Sequence, residues 1–231
     1  MAASTIFFLN MVNGLRRLVE KTILQGKSLA ICKLDVEKTF DTLDHNSILR
    51  MMMARNMPEQ LIRAVLVEYL NCSVNMHLDN RELCNIKVWR GVKQGSPLSA
   101  LIFQFVVDWT QSNSIKRWRL ENTGASVSWA DDSDIMQSST ADICFADDET
   151  IIAVDAIQLE DMMDTAVTDL KRVGLEVSAA KTSWMGVNIS ESNKVMMGDV
   201  EIPRFGQLKE DCKLTRHIQH VTFTRMFGDD Y

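Results

Sequence analysis

ICFADDETIIAVDAIQLEDMMDTAVTDLKRVGLEVSAAKTSWMGV, residues 143–187, decides the fold. Two short apolar runs, Ile143–Ala146 and Thr150–Val154, flank Asp147-Asp148-Glu149. That pattern predicts a tight hairpin with an acidic tip. Ala156–Val173 is amphipathic with helical spacing and stops at Gly174, a residue suited to ending a helix. Leu175–Val177 and Thr182–Val187 then predict strands around a short loop carrying Lys181.

Working outward, SLAICKLDV (28–36) predicts another apolar strand, ending near Asp35. Leu9–Leu24 before it has helical spacing. Asp44–Arg55 predicts a helix with Asp44 as its N-cap, and Pro58 opens a further helix over Glu59–Leu70. Ser73–Leu78 and Leu83–Trp89, joined through Asp79-Asn80-Arg81, predict a hairpin. Leu98–Trp118 predicts a long helix. Val127–Ala130 predicts a strand, Asp131–Ala141 a polar loop, and the tail from Glu191 carries little pattern. This alternation predicts one α+β domain.

The chain has 231 residues, 46% of them apolar, which excludes wholesale disorder. Its net charge of -6 is unevenly spread. Residues 1–120 sum to +6, residues 121–180 to -12, and the remainder balances. A uniformly basic coat is excluded, but a local basic track beside an acidic cluster is not. The five cysteines are scattered and lack a CxxC pair, so a zinc ribbon or disulfide scaffold is not expected. The expectation is an intracellular protein with reduced thiols, nucleus and cytoplasm being indistinguishable. No apolar run reaches the length of a membrane span, and no membrane partner is expected.

Asp35 closes an apolar strand, and strand ends are where reactive groups gather. Asp147 and Asp148 are adjacent carboxylates whose mutual repulsion a divalent cation would relieve. Carboxylate oxygens suit Mg²⁺, which also binds substrate phosphates. Two such ions can activate an attacking oxygen and stabilise a leaving one, in a polymerase or in a nuclease. The loop GVKQGSPLS (91–99) helps separate the two. Its glycines allow close backbone approach, Gln94 offers an amide, and Pro97 suits a helix start. Such a loop could brace a template base or a nucleotide.

KLDVEKTFDTLDHNSIL (33–49), GVKQGSPLSALIFQFVVD (91–108), ICFADDETIIA (143–153) and VGLEVSAAKTSWMG (173–186) stand in the order of the palm blocks of reverse transcriptases. The chain closely resembles that family, in its non-LTR retrotransposon and group II intron maturase type, from about residue 8 to about residue 190. The resemblance implies a polymerase palm-like α+β fold, an antiparallel sheet packed against helices. It implies that Asp35, Asp147 and Asp148 form the metal-binding acidic triad for Mg²⁺. Phe40 matches the bulky position beside the sugar 2′ side. Gln94 and Gly95 match the turn that contacts nucleotide and template. Lys181 matches the lysine proposed to protonate the pyrophosphate leaving group. The implied partners are an RNA template, a DNA primer and deoxynucleoside triphosphates. Arg16, Arg17, Lys116, Arg117 and Arg119 are candidate phosphate contacts.

The chain departs from the family pattern in places. Only 34 residues precede Asp35. The expectation is a reverse transcriptase palm with partial fingers over 1–190 and a partial thumb-like or poorly ordered tail over 191–231, most of the fingers and thumb being missing. Ser96, Ala100 and Thr39 replace the family's usual residues, and Glu149 adds a third charge to the acidic tip. Asp131-Asp132 could mimic the motif pair, but Asp147-Asp148 has the expected helix and lysine block behind it. His45, His77, His217 and His220 form no clear ligand set. Two activities follow as alternatives: an RNA-directed DNA polymerase, or a catalytically inactive retroelement remnant that binds nucleic acid weakly. A nuclease is a third, disfavoured by the 91–99 loop.

Overall fold

A computed structural model of the chain describes residues 15–69, 72–78, 81–121, 123–128, 137–140, 142–145 and 148–208. It divides into two compact units. The first comprises the chain up to Asp35, Ser114–Ala166, and Val177 onward; the second comprises Val36–Asn113 and Val167–Glu176.

The first unit is built on β1 (Leu29–Glu37), whose residues through Asp35 it contains. β1 pairs antiparallel with β7 (Asp148–Ala153) on one side and β9 (Ser183–Val187) on the other. β6 (Asp142–Phe145) extends the sheet beyond β7, and β12 (Arg204–Leu208) extends it beyond β9 in parallel. β8 (Glu176–Val177) also pairs with β1. A strand with neighbours on both sides and cover on both faces must be apolar nearly throughout, and Leu29–Cys32 are fully buried. Leu29 and Ile31 join Leu15, Leu18, Val19 and Ile23 of α1 (15–24) in one cluster with Ile152, Met185 and Val187. Each such side chain contributes about 1.5–3 kcal/mol by leaving water. On the alternate face, Cys32 Sγ lies 4.0 Å from Met163 Sδ of α6 (Ala156–Arg172). Burial pushes the Cys32 thiol well above its ordinary pKa, and the Glu149 carboxylate adds to that.

The second unit holds α2 (Thr39–Thr42), α3 (His45–Ala54), α4 (Glu59–Tyr69), the start of α5 (Pro97–Leu120) and the β2–β3 hairpin (Ser73–Leu78 with Arg81–Lys87). The expected cap of α3 is present: Asp44 Oδ2 accepts from Ser47 N at 3.1 Å. Such a cap typically contributes about 1 kcal/mol. Gly174 ends α6 at φ +85°, where a Cβ would stand 2.9 Å from the Thr42 carbonyl oxygen.

Four expectations need correction or extension. Within the stretch expected to be a polar loop, Gln137–Thr140 forms β5 and pairs with β4 (Ala125–Ser128). Arg81 belongs to β3 rather than to the hairpin turn. Glu149 is not at the acidic tip but inside β7, opposite Leu34 and Cys144, and only 3% exposed. The unpatterned tail supplies β10 (Met196–Met197), β11 (Val200–Glu201) and β12. β12 is drawn to β9 partly by Arg204, whose guanidinium lies over the Trp184 ring at 4.6 Å and bonds the Ser190 and Ile189 carbonyls. Burial pulls the Arg204 pKa down. Asp131, Asp132, His217 and His220 lie outside the described residues.

Candidate active site

In the first unit, Asp35 is the Cα partner of Asp148 across β1 and β7. Residues over a hundred positions apart in the chain thus meet at one register position of the sheet. Asp147 lies outside the described residues, and Asp148 is described by its backbone alone. Asp35 is held on its own strand by the turn after β8. Its backbone N–H donates to Thr182 Oγ1 at 3.2 Å, and its carbonyl accepts from Ser178 N at 2.8 Å. Lys181 rides on that turn and places Nζ 3.9 Å from Asp35 Oδ2. The carboxylate is 36% exposed and the lysine side chain 69%. At that exposure the pair contributes little to stability, so its position matters more than its strength.

The second unit carries the other predicted residues. Phe40 stacks on Phe103, with ring centroids 5.4 Å apart. The 91–95 loop is fastened to the segment that bears Phe40. Gly91 N donates to Leu43 O at 2.7 Å, and Val92 N donates to Phe40 O at 2.6 Å. His45, buried beside Tyr69, donates from Nε2 to Gly91 O at 2.7 Å. Gln94 Nε2 donates to Asp41 Oδ1 at 3.1 Å. Gly91 makes this possible: at φ +88°, a Cβ would stand 2.7 Å from Asp41 O. Gly95, at φ +81°, has open space around it, so its need for glycine is conformational and not one of close approach. Beside this loop, Lys93 pairs with Glu68, a hydrogen bond that raises the lysine pKa.

A family model described as reverse transcriptase (RNA-dependent DNA polymerase) matches residues 7–202. The chain belongs to the reverse transcriptase family. The domain is 29% identical over 192 residues to the Pol polyprotein of the retrotransposable element R2DM of Drosophila melanogaster. It is 28% identical over 158 residues to an R2 Pol polyprotein of Popillia japonica, and 23% identical over 197 residues to the 149 kDa protein of transposon TX1 of Xenopus laevis. The matches cover 80%, 68% and 84% of this chain but only 17%, 24% and 14% of those proteins. Among solved structures, the apo telomerase of Candida tropicalis truncated from its C-terminal domain superposes with a TM-score of 0.54 at 16% identity. That match covers 84% of this chain and 38% of the telomerase chain; at such identity the likeness is one of fold. The expected palm-like mixed fold is thereby established for this reverse transcriptase domain.

Reading the motifs alone misses three contributors. Thr182 and Ser178 hold the Asp35 backbone, and Asp41 holds the Gln94 amide. Thr182 follows the singled-out Lys181 directly, a signal that was available. Nothing in the sequence separates Asp41 from any other exposed acid at a helix start. Of the candidate phosphate contacts, Arg16 is bonded to Glu20 one turn along α1, and Arg117 to Glu121 just past the end of α5. No helix among the described residues is long and apolar enough to cross a membrane.

Proposed function

We propose that this domain adds deoxynucleotides to the 3′ end of a DNA primer under direction of an RNA template. The observation that carries the reading is Asp35, in register with Asp148 and 3.9 Å from Lys181. Asp35, Asp147 and Asp148 would hold the divalent cations. A partly exposed carboxylate two residues before the end of β1 is the hard, hydrated donor chemistry that Mg²⁺ takes. Bound Mg²⁺ would lower the barrier at the primer hydroxyl and neutralise charge on the phosphates.

The remaining tasks fall to side chains of this chain. Lys181 carries a proton to donate to the departing pyrophosphate. Phe40, backed by Phe103, crowds the 2′ side of the incoming sugar and favours deoxynucleotides. Gln94 and Gly95 meet the nucleotide and the template, with the Gln94 amide oriented by Asp41.

Primer extension on an RNA template with Mg²⁺ and deoxynucleotides tests this. Incorporation that disappears in Asp147→Asn supports it. A folded chain that incorporates nothing overturns autonomous polymerase activity, and cleavage of unprimed RNA without incorporation would make the site a nuclease.

A further inference from the structure

Large aromatic side chains in a folded domain are normally covered, and Trp118 and Trp184 are, at 1% exposure each. Trp89 is 72% exposed. It is not on a free loop. Val88 N donates to Cys72 O at 2.9 Å, Arg90 bridges to Asp44, and Gly91 N donates to Leu43 O. The backbone is therefore held on both sides of an indole that faces solvent. Lys87 Nζ lies over the ring, 5.7 Å from its centroid. Arg90 is exposed and has no ion-pair partner among the described residues. From residue 83 to residue 107 the sequence has no Asp or Glu. Lys87 and Arg90 flank the indole, while Lys93, farther along, is paired with Glu68.

We infer that Trp89 is a stacking platform for an unpaired base of a single-stranded nucleic acid, with Lys87 and Arg90 contacting the flanking phosphates. Every base has a π-face, so a rigid exposed indole binds single strands without reading sequence, and the basic neighbours track the backbone. An acidic protein segment would meet the two cations, but the flat face of the indole is matched by the π-face of a base. Trp89 stands five residues before Gln94 in the chain, and the inference rests on the polymerase reading for the identity of the strand, a single-stranded template.

The test is fluorescence anisotropy of the full chain with a labelled oligouridylate, an oligothymidylate of equal length, and an RNA–DNA duplex, across a range of salt. Trp89→Ala is expected to weaken single-strand binding roughly 5- to 150-fold, with an unchanged salt slope. Trp89→Phe is expected to recover most of the affinity. Lys87→Gln and Arg90→Gln are each expected to lower the slope by about 0.7. Trp89→Ala is expected to weaken binding of the RNA and the DNA strand alike, because stacking uses the face of the base and not the 2′-hydroxyl. The inference is overturned if wild type does not bind single strands, if Trp89→Ala binds as wild type, if Trp89→Phe is as weak as alanine, or if duplex binding falls equally. Primer extension separates the two claims: incorporation without a Trp89 effect leaves the polymerase reading standing, and a Trp89 effect without incorporation leaves the platform standing.

Discussion

At Lys181 a structural role and a chemical role make different predictions. Its ion pair with Asp35 is long and mostly solvated, so Lys181→Ala should shift the urea unfolding free energy by less than about 1 kcal/mol. As the proton donor to the leaving group it should matter far more to rate, and a loss of about 10²- to 10⁴-fold in single-turnover incorporation is expected. Equal, small effects on both would leave Lys181 a surface lysine. His45 presents the reverse case. Its buried Nε2 supplies the hydrogen bond to Gly91 O, so His45→Ala should destabilise by about 1–3 kcal/mol in urea unfolding. The sequence hides this, because a histidine without a ligand set reads as incidental until its partner, 46 residues away, is known.

Among the elements, the loop 91–95 and the segment 40–45 behave as one piece, tied by backbone bonds from Gly91 and Val92 and by side-chain bonds from His45 and Gln94. Gly91→Ala must strain a backbone at φ +88° and displace the Asp41 carbonyl. It should lower the melting temperature by several degrees, corresponding to a loss of about 2 kcal/mol or more. The elements with strong period were legible beforehand. α3, α4 and α6 lie within a residue or two of the expected ranges, because amphipathic spacing, the Asp44 cap and the Gly174 stop all agree. What was not legible depends on partners distant in sequence. Gln137–Thr140 has no strand-like composition and is a strand because Ala125–Ser128 pairs with it. Glu149 reads as exposed by its charge, yet its register opposite Leu34 and Cys144 buries it. The last strand, β12, depends on a cation resting on Trp184, which no local pattern announces.

For the molecule as a whole, the central sheet of the first unit can be followed through its cysteine. Cys32 lies between Ile151 and Trp184 with no exposed surface, whereas Cys84 is exposed on the β2–β3 hairpin. Iodoacetamide mapping at neutral pH should label Cys84 within minutes and leave Cys32 unlabelled until denaturant opens the sheet; early labelling of Cys32 would contradict the described core. The charge distribution also gains meaning at this scale. Part of the acidic block at 121–180 is the proposed metal site, and another part, Glu149, is buried in the sheet. Within the acid-free stretch from 83 to 107, the exposed Trp89 with Lys87 and Arg90 is the surface proposed to meet nucleic acid. Four motif blocks in order were enough to read the family and the residues to test, whereas the fastening of the Asp35 backbone by Ser178 and Thr182 comes from a turn distant in the chain, which no motif announces. The most direct test of that site is single-turnover incorporation of one deoxynucleotide on an RNA-templated primer, comparing wild type with Asp35→Asn, both shown to be folded by circular dichroism. The account predicts a loss of at least about a hundred-fold in Asp35→Asn; incorporation by the variant at the wild-type rate would contradict it.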